Sequence, residues 1–327
     1  MTIQAGDRLG NYVITSHLSQ GGMADIYRAS DVRDATDVVL KVPHISLVGD
    51  PALYDRFQRE VAIAQRLNHP GVQHAVTTLK ADGLPYLVLN YVDGEPLRNV
   101  IRARAPLPLA EAEDLIRQLA DIMAYCHSEN VVHRDLKPDN LLVTPDGRLV
   151  LLDFGAALLE GARRITWANL TATIGTPDYM APEQIQGKRG DERTDIYALG
   201  AIYYELLTGE PPFSGDNALA IMNQHLNATP PRADRARKGV SEATAAIIAR
   251  CLQKNAADRY QSMAEVLHDL DHPEDVDLSV LAKVAPKRRF GLSDTQYMVI
   301  VALLISILIM LGLVLIGVGA QYLHTAR

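Results

Sequence analysis

The sequence predicts an α+β fold with two lobes, a small β-rich one with one key helix and a larger helical one, plus a C-terminal transmembrane helix. Apolar β-branched runs are frequent over 11–92, whereas apolar residues spaced three and four apart dominate 96–271. A long apolar run without charges follows near the C-terminus. The predicted divisions are a folded domain over 11–271, a linker over 272–296, a membrane segment over 297–319 and a tail over 320–327.

The composition indicates a folded protein and excludes several classes. The chain is 48% hydrophobic and 22% charged, which is ordinary for a globular protein. A formal net charge of −7 argues against a nucleic-acid partner, which would select a basic surface. The only cysteines, Cys126 and Cys251, have no metal-ligand spacing and indicate reduced thiols. The N-terminus has neither a basic start nor an apolar run, so we expect no secretory signal.

The small lobe is predicted from strands and one helix. Asp50 and Pro51 suit the N-cap and first position of that helix, which ends before Pro70. Its apolar residues follow helical spacing, at Leu53, Phe57, Val61, Ala64 and Leu67. The segment 92–96 is the expected connection to the second lobe. Short apolar or alternating runs predict the strands, at Tyr12–Leu18, Asp25–Ala29, Val38–Val42 and Tyr86–Tyr91.

The large lobe is predicted as helices. Leu109–His127 places Leu115, Leu119, Ile122 and Cys126 on one face. Asp191–Leu207 is strongly apolar and is followed by Gly209 and Pro211, which end a helix sharply. Two further helices are predicted, over Ser241–Leu252 and Ser262–Leu270. From residue 272 the periodicity disappears and charges increase, which predicts the linker.

The residues that carry chemistry are concentrated in two motifs. His133–Asn140 reads His-Arg-Asp-Leu-Lys-Pro-Asp-Asn, and Asp153-Phe154-Gly155 follows it. Carboxylates, an amide, an ammonium and a guanidinium are the groups that can hold metal ions, a polyphosphate and an attacking hydroxyl in line. The order and spacing match the protein-kinase catalytic loop and D-F-G motif. The chain therefore resembles eukaryotic-like Ser/Thr protein kinases, and its C-terminal apolar segment makes it similar to the membrane-anchored ones of bacteria.

The resemblance implies a bilobal protein-kinase fold and assigns catalytic roles. Asp135 would orient the substrate hydroxyl as the base, and Lys137 would neutralise charge on the transferred phosphoryl group. A lysine at that place also goes with Ser or Thr specificity. Lys41, paired with Glu60 on the following helix, would aim its ammonium at the nucleotide phosphates. The metal ligands would be Asn140 and Asp153, for Mg²⁺ with Mn²⁺ able to substitute.

The resemblance also implies an ATP site. The loop from Ser19 to Ala24 stands where the family has G-x-G-x-x-G, but Ser19 and Ala24 replace the first and third glycines and leave Gly21 and Gly22. We expect this departure from the family's pattern to affect the affinity for nucleotide and not the class of protein. Leu89 corresponds to the gatekeeper position. The residues expected to contact ATP are Leu18, Ser19, Gln20, Gly21, Gly22, Met23, Ala24, Ile26, Lys41, Leu89, Val92 and Leu142.

Scaffold and regulatory roles follow from the same resemblance. The segment Gly175–Glu183 is similar to the family's substrate-facing loop, and Glu183 would pair with Arg259. Asp195 would brace the catalytic loop from within its helix. Arg134, beside the catalytic aspartate, requires an anion, which a phosphothreonine in the segment between Asp153 and Glu183 would supply. The expected phosphorylation sites are Thr171 and Thr173, with Thr166 as a third. Two copies of the chain would meet during autophosphorylation.

The segment 297–319 predicts a single-pass anchor in a lipid bilayer. From Met298 to Val318 only Ser306 is polar, and a helix of this length spans about 31 Å, close to the hydrocarbon core of a membrane. Four basic residues lie before the membrane segment, at Lys283, Lys287, Arg288 and Arg289, and only Arg327 lies after it. The positive-inside rule therefore predicts a kinase domain in the cytoplasm, an anchor in the inner (cytoplasmic) membrane and a C-terminus outside.

Two alternatives remain open at this stage. The first is a membrane-anchored pseudokinase that binds nucleotide as a scaffold, and the altered glycine loop is its only support. The presence of Lys41, Glu60, Asp135, Asn140 and Asp153 opposes it. The second is phosphotransfer to a small molecule, which the substrate-facing segment disfavours. The sequence names no protein substrate.

Overall fold

The computed structural model describes residues 3–21, 24–44, 51–81, 84–154, 158–159 and 177–284, and it begins with a six-stranded antiparallel sheet. The strands are β1 (Arg8–Leu9), β2 (Tyr12–Gln20), β3 (Ala24–Asp31), β4 (Asp37–Pro43), β5 (Ala75–Ala81) and β6 (Leu84–Asn90). Their order in the sheet is β1-β2-β3-β4-β6-β5. The four predicted strands are present. The sequence did not predict β5, an edge strand with no continuous apolar run, or the two-residue β1.

The alternation of side chains along β4 explains how the lobe is built. Val38, Leu40 and Val42 are buried in one apolar cluster with Tyr12 and Tyr86. The intervening positions point to the other face, because successive side chains of a strand alternate. That face is covered by α1 (Pro51–Arg66). Three buried residues of α1 pack against three of the sheet: Phe57, Val61 and Ala64 against Val39, Leu87 and Leu89. Lys41 lies two residues after Val39 and so points to the same face, toward α1.

The large lobe is helical, as predicted. Its longer helices are α2 (Leu97–Arg104), α3 (Leu109–Ser128), α5 (Glu192–Thr208), α6 (Ala218–Asn227), α8 (Glu242–Cys251) and α9 (Met263–Asp271). The shorter ones are α4 (Pro182–Ile185), α7 (Ala233–Ala236) and α10 (Val280–Val284). The predicted α3, α5, α8 and α9 are present, whereas α2 and α6 were not predicted. Five short strands complete the lobe, β7 (Glu95–Pro96), β8 (Val131–Val132), β9 (Leu141–Val143), β10 (Leu149–Leu151) and β11 (Leu158–Leu159).

The central element of this lobe is α5. Every residue from Thr194 to Leu207 is buried. The helix begins where the Asp191 side chain accepts a hydrogen bond from Arg193 N at 3.0 Å, and it ends at Gly209, whose φ of 87° suits glycine. A Cβ on Gly200 would lie 2.4 Å from the Cβ of Cys251, so α5 and α8 approach closely. Burial raises the pKa of both thiols, Cys126 and Cys251, to about 12.

The folded domain extends beyond the predicted end at residue 271. Val276, Val280 and Leu281 are buried in the same core as α8 and α9, and the compact unit ends at Val284. The sequence predicts a linker from 272 because the helical periodicity is lost there and charged residues follow, at Glu274, Asp275 and Asp277. The folded part therefore includes the first half of that linker.

No helix within the described ranges, which end at 284, is long and apolar enough to cross a membrane. The predicted membrane segment, 297–319, and the tail lie outside the described residues.

Candidate active site

A buried lysine connects the sheet, α1 and the D-F-G motif. Lys41 of β4 donates hydrogen bonds to Glu60 of α1 and, at 3.0 Å, to Asp153 Oδ1. The Lys41 and Glu60 side chains are only 8% and 3% exposed. Burial lowers the pKa of Lys41, but the Glu60 and Asp153 carboxylates outweigh that effect and raise it above its ordinary value. The ammonium therefore stays charged, and the predicted Lys41–Glu60 pair is present.

The catalytic loop is held by Asp195 of α5, as predicted. This carboxylate is fully buried and accepts hydrogen bonds from His133 N at 2.9 Å and Arg134 N at 2.8 Å. His127 Nε2 lies 2.8 Å from it. Burial opposes ionisation, yet the His127 contact and the backbone donors hold the pKa of Asp195 below its usual range. These bonds stabilise a left-handed backbone at Arg134, where φ is 66°.

The loop places three polar side chains together. Lys137 Nζ donates to Asp135 Oδ2 at 2.7 Å, and Asn140 Nδ2 donates to Asp135 O at 2.8 Å. The turn Pro138–Asn140 brings Asn140 back toward Asp135. The Asp135 carboxylate is 46% exposed, so a hydroxyl can reach it, and the Lys137 ammonium lies directly beside it.

Asn140 and Asp153 fit the predicted metal role. Leu152 N donates to Asn140 O at 2.8 Å, which holds the loop next to the strand that leads into Asp153. Asp153 has a φ of 50° and a carboxylate that is 50% exposed. Within the described residues no three His, Cys, Asp or Glu side chains form a metal cluster. A pair of oxygen ligands suits Mg²⁺, which usually takes one or two protein carboxylates and completes its shell with phosphates and water.

The predicted phosphate cover is a hairpin. Ser19 and Gln20 belong to β2 and Ala24 begins β3. Gly21 N donates to Ala24 O at 2.9 Å, and a Cβ on Gly21 would lie only 3.0 Å from that oxygen. Gly22 and Met23, the remaining residues of the predicted cover, lie outside the described residues.

The other predicted nucleotide contacts fall in several places. Ile26 pairs with Lys41 across the sheet and packs on the cluster that contains buried Leu89. Leu142 lies on β9, opposite Pro96, and Val92 is half-buried just after β6. Leu18 is 47% exposed. The structure thus brings Ile26, Lys41 and Leu89 to one face of the sheet.

The predicted pair of Glu183 and Arg259 is present. Arg259 Nη1 and Nη2 each donate to Glu183 at 2.8 Å, and the guanidinium is fully buried. Arg259 also donates to the backbone oxygen of Gln253 at 2.8 Å. Burial raises the pKa of Glu183, but the Arg259 contacts more than offset that and lower it. This pair anchors α4, which ends the substrate-facing segment.

Sequence reasoning missed a second connection to that segment. Arg98 of α2 donates to Glu205 Oε1 at 2.7 Å, to the Tyr179 hydroxyl, and to Asp139 Oδ2 at 3.4 Å. The Tyr179 hydroxyl also donates to Glu205. Glu205 is an acidic residue within the buried stretch Thr194–Leu207 of α5, and a buried carboxylate requires a partner. That rule could have identified the site, although not the arginine that fills it.

Arg134 has little hydrogen bonding. Its Nη2 donates to Gly190 O at 3.0 Å, and its buried Nε has no acceptor among the residues the structure describes. Burial, followed by repulsion from Arg189, lowers its pKa. The predicted phosphorylation sites Thr166, Thr171 and Thr173 lie outside the described residues.

Lys254 lies beside the Glu183–Arg259 pair, with its backbone oxygen accepting from Arg259 at 3.2 Å. Its ammonium is 4.1 Å from the centre of the Phe213 ring and donates to Gln224 O at 3.2 Å. Burial, and then repulsion from Arg259, lowers the pKa of Lys254 to about 7 from its ordinary 10.5.

Replacing Lys254 by methionine is expected to change the pH dependence of stability. The folded protein binds fewer protons at this site than the unfolded chain between pH 7 and 10.5, so wild-type stability rises with pH across that window. Lys254→Met should therefore raise the Tm most below pH 7, by about 2 to 5 °C, and the gain should fade toward pH 10. Thermal unfolding from pH 6 to 10 measures this, with Lys238→Met as an exposed control. A gain that does not change with pH would contradict the prediction.

Comparison with known proteins gives a consistent result. A family described as "Protein kinase domain" matches residues 12–270. The chain is 36% identical over 264 residues to the serine/threonine-protein kinase PknB of Mycobacterium leprae, covering 79% of this chain and 42% of that protein. It is 34% identical over 268 residues to the serine/threonine-protein kinase PrkC of Bacillus subtilis, covering 82% of this chain and 41% of that protein. The chain therefore matches less than half the length of these relatives.

Proposed function

The chain belongs to the protein kinase family, and from this premise we propose that it is a bacterial Ser/Thr kinase that transfers the γ-phosphoryl group of ATP to protein hydroxyls. One observation carries the proposal. Lys41, bonded to Glu60 in the small lobe, also contacts Asp153 in the large lobe, and Asp135, Lys137 and Asn140 are hydrogen-bonded together on the adjoining loop.

The side chains divide the work of phosphoryl transfer between them. Lys41, held by Glu60, binds and orients the nucleotide phosphates with a charge that burial keeps from bulk water. Asp135 accepts a hydrogen bond from the substrate hydroxyl and directs its oxygen toward the phosphorus. Lys137, already beside Asp135, stabilises negative charge on the group in transfer. Bound at Asn140 and Asp153, Mg²⁺ would neutralise the phosphate oxygens.

Three observations support protein Ser or Thr as the acceptor. Lys137 stands two residues after Asp135, as in Ser/Thr members of the family. Glu183 and Tyr179 fix the described end of the substrate-facing segment to the large lobe. The relatives with 34–36% identity are serine/threonine-protein kinases. The pseudokinase alternative is disfavoured because Lys41, Glu60, Asp153 and the catalytic loop have intact contacts.

The test is phosphoryl transfer by the full chain in detergent. We expect incubation with Mg²⁺ and γ-labelled ATP to label the protein itself or an added basic protein, and acid hydrolysis to release phosphoserine or phosphothreonine. Phosphotyrosine as the main product would contradict the assigned specificity. Nucleotide binding without transfer in either Mg²⁺ or Mn²⁺ would establish the pseudokinase alternative.

The same function predicts activation by phosphorylation between Asp153 and Glu183. Arg134 offers a buried guanidinium nitrogen without an acceptor within the described residues, and a phosphothreonine supplies nearly two negative charges and three acceptor oxygens. We expect Thr171→Ala with Thr173→Ala to lower the rate after ATP preincubation by roughly tenfold.

The control for this double variant is Thr36→Ala, which changes an exposed threonine in the small lobe. Mass spectrometry of each variant should show phosphate at Thr171 or Thr173 in the wild type and not in the double variant. A double variant as fast as wild type, with Thr166 unmodified, would mean that Arg134 needs no phosphate.

We further propose that 297–319 anchors the protein in the cytoplasmic membrane with the kinase domain inside. The support is the charge asymmetry of the sequence, with Lys287, Arg288 and Arg289 before the segment and Arg327 after it. We expect alkaline phosphatase fused after Arg327 to be active and a fluorescent protein fused there to be dark. Fusions after Val284, which precede the segment, should give the opposite pair of results. An active fluorescent fusion after Arg327 would overturn this topology.

A further inference from the structure

The backbone just before Asp135 has an unusual conformation that needs support. Arg134 has a φ of 66°, in the left-handed region that residues other than glycine rarely adopt. Its backbone nitrogen donates to Asp195 Oδ1 at 2.8 Å. Its carbonyl oxygen belongs to the same planar peptide group as the nitrogen of Asp135. Whatever holds that oxygen therefore fixes the peptide plane from which the Asp135 side chain departs.

The side chain of Gln184 in α4 holds this oxygen. Gln184 Nε2 donates to Arg134 O at 2.8 Å, across 50 positions of the sequence. The other end of the same amide, Oε1, accepts from Ala181 N at 3.0 Å, where α4 begins. The amide has one favourable orientation, because turning it over would set oxygen against oxygen and N–H against N–H. The side chain is thus a bridge of defined geometry between α4 and the catalytic loop.

The bridge begins on an element that is itself firmly held. Glu183, which precedes Gln184, accepts a hydrogen bond on each carboxylate oxygen from Arg259, both at 2.8 Å. Ala181, at the start of the same helix, is fully buried. The backbone of Arg134 is consequently held on its nitrogen by α5 and on its oxygen by α4. Since α4 ends the substrate-facing segment, a shift of that segment reaches the catalytic loop through Gln184.

We propose that Gln184 is a positioning residue for phosphoryl transfer, one that couples the placement of the substrate-facing segment to the orientation of Asp135. This inference rests on the kinase activity proposed above. Both bonds of Gln184 end on backbone atoms, so it acts through Asp135 and not on the substrate. Loss of the Nε2 donor lets the peptide between Arg134 and Asp135 turn. A reacting group that moves by about 1 Å can cost roughly a hundredfold in rate.

Replacing Gln184 by glutamate separates its two bonds. The ionised carboxylate still accepts from Ala181 N, so α4 keeps its cap, but it cannot donate to Arg134 O. For the full chain in detergent with Mg·ATP and a basic protein substrate at pH 8, we expect kcat to fall by roughly 10- to 100-fold. The KM for ATP should stay within about twofold of wild type, and the Tm within about 3 °C. Gln186→Glu, the same charge change at an exposed neighbour, should keep the wild-type kcat.

The pH dependence of kcat distinguishes positioning from a general loss of structure. Once protonated, the introduced carboxyl has an O–H that can donate to Arg134 O. The ratio of Gln184→Glu kcat to wild-type kcat should therefore rise at least about threefold from pH 8 to pH 5.5. The same ratio for Gln184→Met, which has no donor at any pH, should stay constant. A Gln184→Glu kcat within twofold of wild type at pH 8, a ratio that does not change with pH, or a Tm loss above about 6 °C would overturn the assignment. A wild type that transfers no phosphate would instead overturn the proposed function.

Discussion

Replacing Asp153 by alanine is expected to lower phosphoryl transfer by roughly a thousandfold or more without unfolding the protein. Asp153 is a described carboxylate that contacts Lys41, and the proposed function assigns it, with Asn140, to hold the metal ion. Its removal leaves phosphate charge without a counter-ion in the transition state. The side chain is half exposed, so little packing is lost, and Lys41 keeps its bond to Glu60.

The measurement is kcat with Mg·ATP for the full chain, together with the Tm of each protein. Asp216→Asn is the matched control, since Asp216 is an exposed aspartate before α6 and has no part in the site. We expect the control to keep wild-type kcat and Asp153→Ala to keep a wild-type Tm. An Asp153→Ala protein that retains a tenth of the activity would remove Asp153 from the metal site.

Replacing Arg259 by alanine is expected to reduce the free energy of unfolding by about 3 to 5 kcal/mol. The guanidinium is completely buried and donates a hydrogen bond to each carboxylate oxygen of Glu183. Without it, the Thr194 hydroxyl at 2.9 Å is the remaining side-chain donor to a carboxylate that has lost its counter-charge. Backbone oxygens of Arg193, Gln253 and Lys254 lose their donor as well.

Thermal and urea unfolding of the full chain measure this loss, which corresponds to a Tm decrease of about 6 °C or more. Arg148→Ala is the control, because Arg148 and its partner Asp146 are 61% and 59% exposed. An exposed ion pair contributes little to the free energy of unfolding, so the control should have the same Tm as the wild type. A Tm for Arg259→Ala within about one degree of wild type would show that Glu183 is stabilised by other groups.

Much of the fold and most of the site could be predicted from local patterns. The apolar run Val38–Val42 predicted β4. Because successive side chains of a strand point to opposite faces, Lys41 lies on the face that α1 covers. The motif His133 to Asn140 predicted a loop whose side chains meet, and they do so through bonds between residues two to five apart. Short-range contacts of this kind are encoded by spacing alone.

The parts that could not be predicted depend on contacts between distant residues. Arg98 and Glu205 are separated by 107 positions, and nothing near either residue identifies its partner. Val280 and Leu281 belong to the core although the acidic residues just before them, Glu274, Asp275 and Asp277, interrupt the helical pattern. The spacing of apolar residues shows which face of an element is buried, but it does not show which remote element covers that face.

The burial of Cys126 in α3, and of Cys251 where α5 and α8 approach closely, makes the reactivity of the two thiols a measure of how often the large lobe opens. Cys126 and Cys251 are completely buried, and their pKa values near 12 leave almost no thiolate at neutral pH. An alkylating reagent can modify them only in molecules whose core has separated. The rate of alkylation under native conditions therefore reports how often the core opens. The backbone at His133 and Arg134, which Asp195 of α5 holds, would lose its support in the same events.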